Sequence, residues 1–414
     1  MVFLGQFIDH DITLDTTSKL DKVNQPNELE NFRTPSLDLD CIFGEGPVDE
    51  PFLYEKKSKR LLTGATNKNY GQLPHLQKHD LARNAEGVAM IGDARNDENR
   101  MVSQLQLAFI NHYNAVYTEM ETAQSGRSPI EIYEEARREV TNHYHWIILN
   151  EFLPMMCGSK TTEEVLQGGR KFYTPCQESF IPVEFSGAAY RFGHSMIPHF
   201  LRLQPGGPVF ELFSPELGFG FSTINSMDEV IRWEAFFDFD GSYQRAGQLD
   251  MKLATDLLNL PFEEAPLNSL AVRNLMRSNS FLLPSGETVA RSMGIPENEI
   301  QQVTDYVKSL TEPEDIHLKG GTPLWFYILC EAQVHGRQDH DGGKIGEGLG
   351  PIGGRIVAEV LVGLIELDHN SYMSNNRNWQ PKGGSFTVKD LLSKQYVPTS
   401  YVPDLNFISV AYQN

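Results

Sequence analysis

The chain alternates between polar, irregular stretches and segments in which apolar residues recur at threes and fours. Residues 2–11, VFLGQFIDHD, read as a short apolar helix. Residues 12–90 carry no sustained period and are rich in Asp, Asn, Pro, Gly and Lys. Irregular segments of this length usually serve a site or wrap a core. Between residues 99 and 120, Val102, Leu105, Phe109, Tyr113 and Val116 fall on one helical face. The segment 129–154 repeats the pattern with Ile132, Tyr133, Ala136, Val140, Tyr144, Ile147 and Ile148. A third helix is expected over 186–200, ended near Pro198 because proline lacks the backbone donor. Further helices are expected at 228–236, 266–278, 285–293, 297–310, 321–336, 351–367 and 387–395. Strand signals are few and short, and there is no internal repeat or low-complexity tract. The pattern predicts a mostly α protein with long loops and few short strands. No Pro/Gly/Ser linker divides it, so residues 1–414 are expected to form one large domain.

Composition narrows the function classes. The 414 residues would allow two to three domains of roughly 150 residues each, but the absence of a linker favours one. At 40% hydrophobic and 22% charged, the chain can build a large core. With 35 basic and 55 acidic side chains the net charge is −20. That argues against a nucleic-acid partner and against docking on an anionic membrane. The longest apolar stretch, Ile356 to Leu367, is broken by Glu359, Gly363 and Glu366. It falls short of the roughly 20 residues a membrane span needs. Cys41, Cys157, Cys176 and Cys330 form no CxxC pair, which argues against a disulfide scaffold or zinc ribbon and leaves the compartment open. No signal peptide is visible. Because motif-rich sequence begins at Gly5, the chain is expected to lack a natural N-terminal part, and any export signal with it.

Five constellations carry candidate chemistry. In Gln6-Phe7-Ile8-Asp9-His10-Asp11, successive helical side chains point about 100° apart. Asp9, His10 and Asp11 would then meet three different partners, although a polar helix end reads the same way. Thr34-Pro35-Ser36-Leu37-Asp38-Leu39-Asp40, if extended, presents Thr34, Ser36, Asp38 and Asp40 on one side. Oxygens in that density suit Ca²⁺, and an acidic turn is the plainer alternative. Gly92-Asp93-Ala94-Arg95-Asn96-Asp97-Glu98 leads into the helix at 99–120. Asp97 and Glu98 there suit the helix dipole alone, whereas Arg95 reads as a fixed cation beside a cavity. In Tyr190-Arg191-Phe192-Gly193-His194-Ser195-Met196-Ile197-Pro198, His194 is either a core histidine or an axial metal ligand. Gly193 would admit a flat cofactor, and Arg191 shares the helical face of His194. In Ala271-Val272-Arg273-Asn274-Leu275-Met276-Arg277, Asn274 is either a satisfied structural amide or the partner of a ligating imidazole.

In this order the motifs resemble those of the animal-type haem peroxidases, within the peroxidase–cyclooxygenase superfamily. The resemblance runs from GQFIDHD through TxxxDxD, GDARNDE, IYEEARREVTNHYHWIILNEFLP and YRFGHSMI to RNLMRSNSFLLP. Gly350 to Ile356 looks like bacterial members. The resemblance implies a helical haem-peroxidase domain with His10 and Arg95 as distal residues and Gln6 over the peroxide cavity. It implies His194 as proximal iron ligand, Asn274 as its partner and Arg191 against a haem propionate. Asp9 and Glu98 match the carboxylates that esterify haem in mammalian members, so the cofactor is expected to be haem b or an ester-linked derivative. Asp11, Thr34, Ser36 (through its carbonyl), Asp38 and Asp40 match a calcium site. Asp40 stands where mammalian members carry serine. Asn99 replaces the methionine that forms a sulfonium link in some of them. Arg191 occupies the position of the cyclooxygenase tyrosine.

The implied activity is reduction of hydrogen peroxide with oxidation of halides, thiocyanate or small phenolic donors, in a protein expected to be a monomer. A fatty-acid dioxygenase is disfavoured by Arg191. A catalytically weak matrix or adhesion protein is disfavoured by the presence of both distal residues and the proximal ligand. A non-haem calcium-binding protein leaves His10 and His194 unexplained.

Overall fold

The computed structural model describes residues 1–393 apart from 15–19, 21, 23, 25–30, 124–125, 177 and 240–242. The helices that matter most are α1 (Val2–Ile12), α2 (Arg100–Ala123), α3 (Pro129–Ile147), α4 (Ser159–Gly168), α5 (Leu270–Ser280), α6 (Glu297–Thr311), α7 (Leu324–Val334) and α8 (Pro351–Leu367). The described strands form two antiparallel pairs, Phe200–Leu201 with Phe210–Glu211 and Arg337–Asp339 with Gly342–Lys344. The mostly α expectation is met, and the described part of the long N-terminal loop carries short helical turns such as Asp40–Phe43 and Gly64–Asn67 and isolated β-bridges such as Tyr54 with Leu61. Among the described residues no helix is long and apolar enough to cross a membrane.

Local chemistry explains where the long helices begin. Asn99 accepts from the Val102 amide at 3.0 Å and caps α2. Asp97 and Glu98 therefore precede the helix rather than lying in its first turn. Ser128 and Glu131 cap α3 reciprocally, with Glu131 N donating to Ser128 Oγ at 3.3 Å and Ser128 N to Glu131 Oε2 at 2.8 Å. Pro129 occupies the first helical position, where a missing N–H costs nothing. α3 does not run straight to Pro154. It passes through a π-helical turn at Ile148–Phe152 and continues as Leu153–Cys157. Pro154 cannot donate within the ladder, and a widened turn accommodates that loss.

Two expected helices differ. The third candidate splits at Ala188 (φ −139°, ψ −69°) into Val183–Gly187 and a 3-10 helix, Ala189–Met196. The helix expected at 228–236 is replaced by single 3-10 turns at Met227–Glu229 and Trp233–Ala235. There Glu229 is drawn to Arg100 at 3.3 Å and to the Asn225 amide at 3.0 Å. The helix expected at 387–395 appears as Val388–Ser393, and residues 394–395 lie outside the described range.

The core joins α1 to α2 and α3 through aromatic rings. Phe7 stacks on Phe109 at 5.0 Å, and Tyr144 meets both rings edge-on. Such contacts add about 0.5–1.5 kcal/mol each beyond the area they bury. α8 is buried on nearly every face, which suits its continuous apolar run. Its interrupting Glu359 is buried but satisfied. It accepts from the backbone amides of Lys171, Phe172 and Tyr173 at 2.7–2.9 Å and from Arg355 at 2.6 Å. α1 packs on the Ala189–Met196 helix and on the turn at Ala94–Asp97. Those three elements carry His10, His194 and Arg95.

Candidate active site

The three consecutive polar residues of α1 meet three different partners, as a 100° step requires. Asp9 accepts from the Thr13 hydroxyl at 3.0 Å. His10 Nδ1 lies 2.7 Å from Asn96 Oδ1. Asp11 turns to Asp38 and Asp40. One turn earlier, Gln6 Nε2 donates to Glu98 Oε1 at 2.9 Å, and Asn99 donates to Gln6 Oε1 at 3.3 Å. The same Glu98 oxygen is 3.8 Å from His10 Nε2. Burial raises the Glu98 carboxyl above its ordinary value, with His10 and Arg95 opposing that rise.

Arg95 is fixed by its own turn. Asp93 caps Ala94–Asp97, accepting from Arg95 N at 2.9 Å, Nε at 3.1 Å and Nη2 at 2.6 Å. Arg95 Nη2 also donates to the His10 carbonyl at 2.9 Å. Its Nη1 has no partner among the described residues and is left for a ligand. Asp93 is buried, which alone would raise its pKa. The hydrogen bonds and charges of Arg95 and Arg33 outweigh that and hold it low. Arg33 reaches Asp93 at 2.6 Å and Asp40 at 2.9 Å. Beneath the turn, Arg83 joins Asp97 at 2.7 Å to Asp80 at 3.0 Å, all three buried.

On the Ala189–Met196 helix, three residues complete a turn, so Arg191 and His194 lie one above the other. His194 Nδ1 is 3.0 Å from the side-chain amide of Asn274 on α5. Burial, and then the charges of Arg191 and Arg277, lower the His194 pKa to about 3. The ring is therefore neutral, and its Nε2 has no partner among the described residues. A Cβ placed on Gly193 would meet only Val2 Cγ1, at 3.6 Å, so the space beside the imidazole is open. A neutral imidazole with a free nitrogen, an open flank and two nearby arginines fits a planar, carboxylate-bearing metal cofactor. The amide oxygen and nitrogen of Asn274 are interchangeable by a half-turn. With Oδ1 toward Nδ1–H, the Nε2 lone pair is free for a metal.

The acidic loop reaches α1 as expected, by a different backbone. Oxygens of Asp11, Asp38 and Asp40 lie within 4.8 Å of one another. Leu37 and Leu39 are buried while the acids face the other way, but the segment is not a strand. Leu39 adopts φ +59°, ψ +35°, and Asp40 starts a helical turn. The left-handed residue turns Asp40 back toward Asp11, whose Oδ2 accepts from Leu39 N at 3.3 Å. Asp11 Oδ1 is buried without a hydrogen-bond partner. Burial and the charges of Asp38 and Asp40 push the Asp11 pKa well up, which is the condition a divalent cation would relieve. Thr34 Oγ1 is 3.4 Å from Asp38 Oδ2, and no bond ties the Ser36 side chain to the three acids. His145 Nε2 pins the loop through the Leu37 carbonyl at 2.7 Å.

Several participants escape sequence reasoning. Asp93, Asn96 and Arg277 stand inside the motifs, where residue type alone assigned them nothing. His145 also stands inside a quoted motif without an assigned role, and Arg33 and Gln106 stand outside the motifs and carry no local signal.

The fold and site together define a helical protein with two asparagine-tethered imidazoles and a cluster of three acids. The family model for animal haem peroxidases matches residues 15–229, just over half of the chain. The chain belongs to the animal haem peroxidase family. The matched span includes the acidic loop, the Arg95 turn and His194, while α1 and α5 lie outside it. The chain is 22% identical over 320 residues to a chorion peroxidase of Aedes aegypti, covering 72% of this chain and 37% of that protein. It is 25% identical over 353 residues to dual oxidase 1 of Caenorhabditis elegans, covering 79% and 23%. The chain thus spans well under half the length of these curated relatives. Its fold is similar to peroxidase A of Dictyostelium discoideum, with a TM-score of 0.66 at 16% identity, covering 97% of this chain and 84% of the other. It is also similar to a fatty acid alpha-dioxygenase of Arabidopsis thaliana, with a TM-score of 0.59 at 16% identity, covering 95% and 69%.

Proposed function

We propose that residues 1–414 form one domain that acts as a haem peroxidase, reducing hydrogen peroxide and oxidising small anionic or phenolic donors. The observation that carries this reading is the matched pair of imidazoles. His10 and His194 stand on two elements in contact, each with Nδ1 held by an asparagine side chain. His194 would hold the iron through Nε2, with Asn274 fixing the ring. Arg191 and Arg277 would pair with haem carboxylates. Asp9 and Glu98 are the residues that would take ester links, so the group is haem b or its ester-linked derivative. When bound, the haem supplies the redox chemistry, accepting the oxidising equivalents of peroxide and passing them to the donor.

The chain's own residues manage the proton and the charge. His10 Nε2 takes the proton from one peroxide oxygen and returns it to the leaving oxygen as water departs. Arg95, charged at any working pH, offers Nη1 to the negative charge that develops as the O–O bond breaks. Gln6 is linked to His10 through Glu98. Asp11, Asp38 and Asp40, with Thr34 and the Ser36 carbonyl, would hold Ca²⁺, which accepts six to eight oxygens at loose geometry. Oxygenase activity is not expected, because Arg191 stands at the tyrosine position of the oxygenase branch. Tyr190 is buried and stacked on Phe185 at 4.5 Å.

Absorption spectroscopy tests the assignment. His194→Ala should purify with little haem and no Soret band, whereas His10→Ala should keep the haem. His10→Ala should slow peroxide consumption by about 10²–10⁴-fold, the range a positioned acid–base group supplies. Full haem content and activity in His194→Ala would reject the proximal assignment.

A further inference from the structure

A line of buried amides runs from His10 into the protein. Asn96 Oδ1 meets His10 Nδ1 at 2.7 Å. Asn96 Nδ2 donates to Gln106 Oε1 at 2.8 Å. Gln106 Nε2 donates to the Cys41 carbonyl at 2.9 Å. Asn96 and Gln106 are both fully buried, at 0% exposure.

The direction of this line is fixed at its far end. A carbonyl oxygen only accepts, so Gln106 must present its NH₂ to Cys41. Its oxygen then faces Asn96, which must answer with NH₂. The oxygen of Asn96 is thereby turned to His10, and an oxygen accepts only from Nδ1–H. The neutral ring must carry its proton on Nδ1 and leave the lone pair on Nε2. Reversing any amide places two donors or two acceptors face to face in a buried site, where an unmade hydrogen bond is costly. Neither side chain is exposed to solvent, so neither is open to peroxide.

We propose that Gln106 is a positioning residue that, through Asn96 and the Cys41 carbonyl, sets the tautomer of His10 and so makes Nε2 the base. The proposal rests on the reading of His10 as the base that deprotonates peroxide. It adds that this capacity is imposed by a residue on α2 that the motifs do not single out. Gln106 works by polarity alone: any residue that leaves Asn96 free to turn should let the ring adopt Nε2–H, which cannot accept a proton from peroxide.

The tautomer can be read without turnover. In protein labelled with ¹⁵N-histidine and carrying a diamagnetic zinc porphyrin in place of haem, the two ring nitrogens of His10 give distinct shifts. They are assigned by difference against His10→Ala. Wild type should show Nδ1–H, and a wild-type ring protonated on Nε2 would overturn the proposal at once. Gln106→Leu should show a mixture of tautomers. In the haem enzyme it should slow peroxide consumption by about tenfold, part of what the base supplies. Asn96→Asp offers only acceptors to His10 and needs no anchor. Added to Gln106→Leu, it should restore Nδ1–H and most of the rate. A Gln106→Leu protein that keeps pure Nδ1–H, or a rate loss that Asn96→Asp leaves in place, would sink the proposal. An unchanged peroxide rate in His10→Ala would instead remove the base reading and leave the tautomer result standing.

Discussion

Asp93 shows how one residue can set the geometry of a site without facing it. Its carboxylate holds two arginines at once, Arg95 beside His10 and Arg33 beside Asp40. Removing its charge leaves two half-buried guanidinium groups with a neutral amide between them. Breaking a fully buried pair costs about 3–5 kcal/mol, and these half-buried pairs cost less. Asp93→Asn should therefore lower the melting temperature. It should also release Arg95 from its place against the His10 carbonyl, and slow the peroxide-consuming step by about tenfold or more, as loss of a charge stabiliser does. Stopped-flow traces at fixed donor concentration measure the second effect. A variant with normal haem content and a wild-type rate would show that Asp93 does not orient Arg95. Asp93 is inside the GDARNDE motif but was given no role there, and Arg33 is outside every motif, so neither half of this pair was legible in the sequence. Its partner is 60 residues away in the chain, and only folding brings the two together.

At the scale of elements, the acidic loop and α1 are joined through the three carboxylates. Asp11 follows His10 directly, so whatever restrains Asp11 also restrains the backbone of the proposed base. Without a cation the three acids repel, and among the described residues Arg33 offsets Asp40 and Arg137 offsets Asp38. Exhaustive chelation, or Asp38→Ala, should lower the melting temperature and the peroxide rate together, and added Ca²⁺ should restore the chelated wild type. If chelation removed all bound calcium and left both quantities unchanged, the loop and the catalytic helix would be uncoupled. The sequence offered this loop as a candidate cation site beside the plainer reading of an acidic turn. It did not show that Leu39 takes a left-handed backbone to fold Asp40 back. Leu is an uncommon residue at positive φ, and burial of its side chain in the core sustains the strain.

The whole molecule is tied together where α7 meets α8. Glu331, buried on α7, accepts from the Ile352 and Gly353 amides at 3.0–3.2 Å and so caps the start of α8. Burial outweighs those hydrogen bonds and pushes its pKa from the ordinary 4.5 up to about 8. The folded state then keeps a proton that the unfolded chain releases, so this contribution is complete below about 4.5 and is lost as pH rises toward 8. Glu331→Gln keeps the shape and an acceptor but does not titrate. Its melting temperature should fall less than that of wild type between pH 5 and pH 8, about the window set by those two values. Parallel melting curves for the two proteins across that range would refute this account of the junction.

The sequence by itself determined the helical periods of α1, α2, α3 and α8, because apolar spacing and capping are local. It also put forward His10, Arg95, His194, Asn274 and the three acids as candidates, since they sit in short motifs. α8 runs from Pro351 to Leu367 as its pattern predicts. What only the tertiary structure decided are the pairings that depend on distance through space. The third helix breaks at Ala188, and the 228–236 segment gives up helix so that Glu229 can reach Arg100. The amides of Asn96 and Gln106 line up behind His10 because α2 returns beneath the Arg95 turn and meets the carbonyl of Cys41. Periodicity reports which face of an element is buried, but not what waits on the other side of that face. The direction of a hydrogen-bond line is set at its last acceptor, and here that acceptor is 65 residues away along the chain from Gln106.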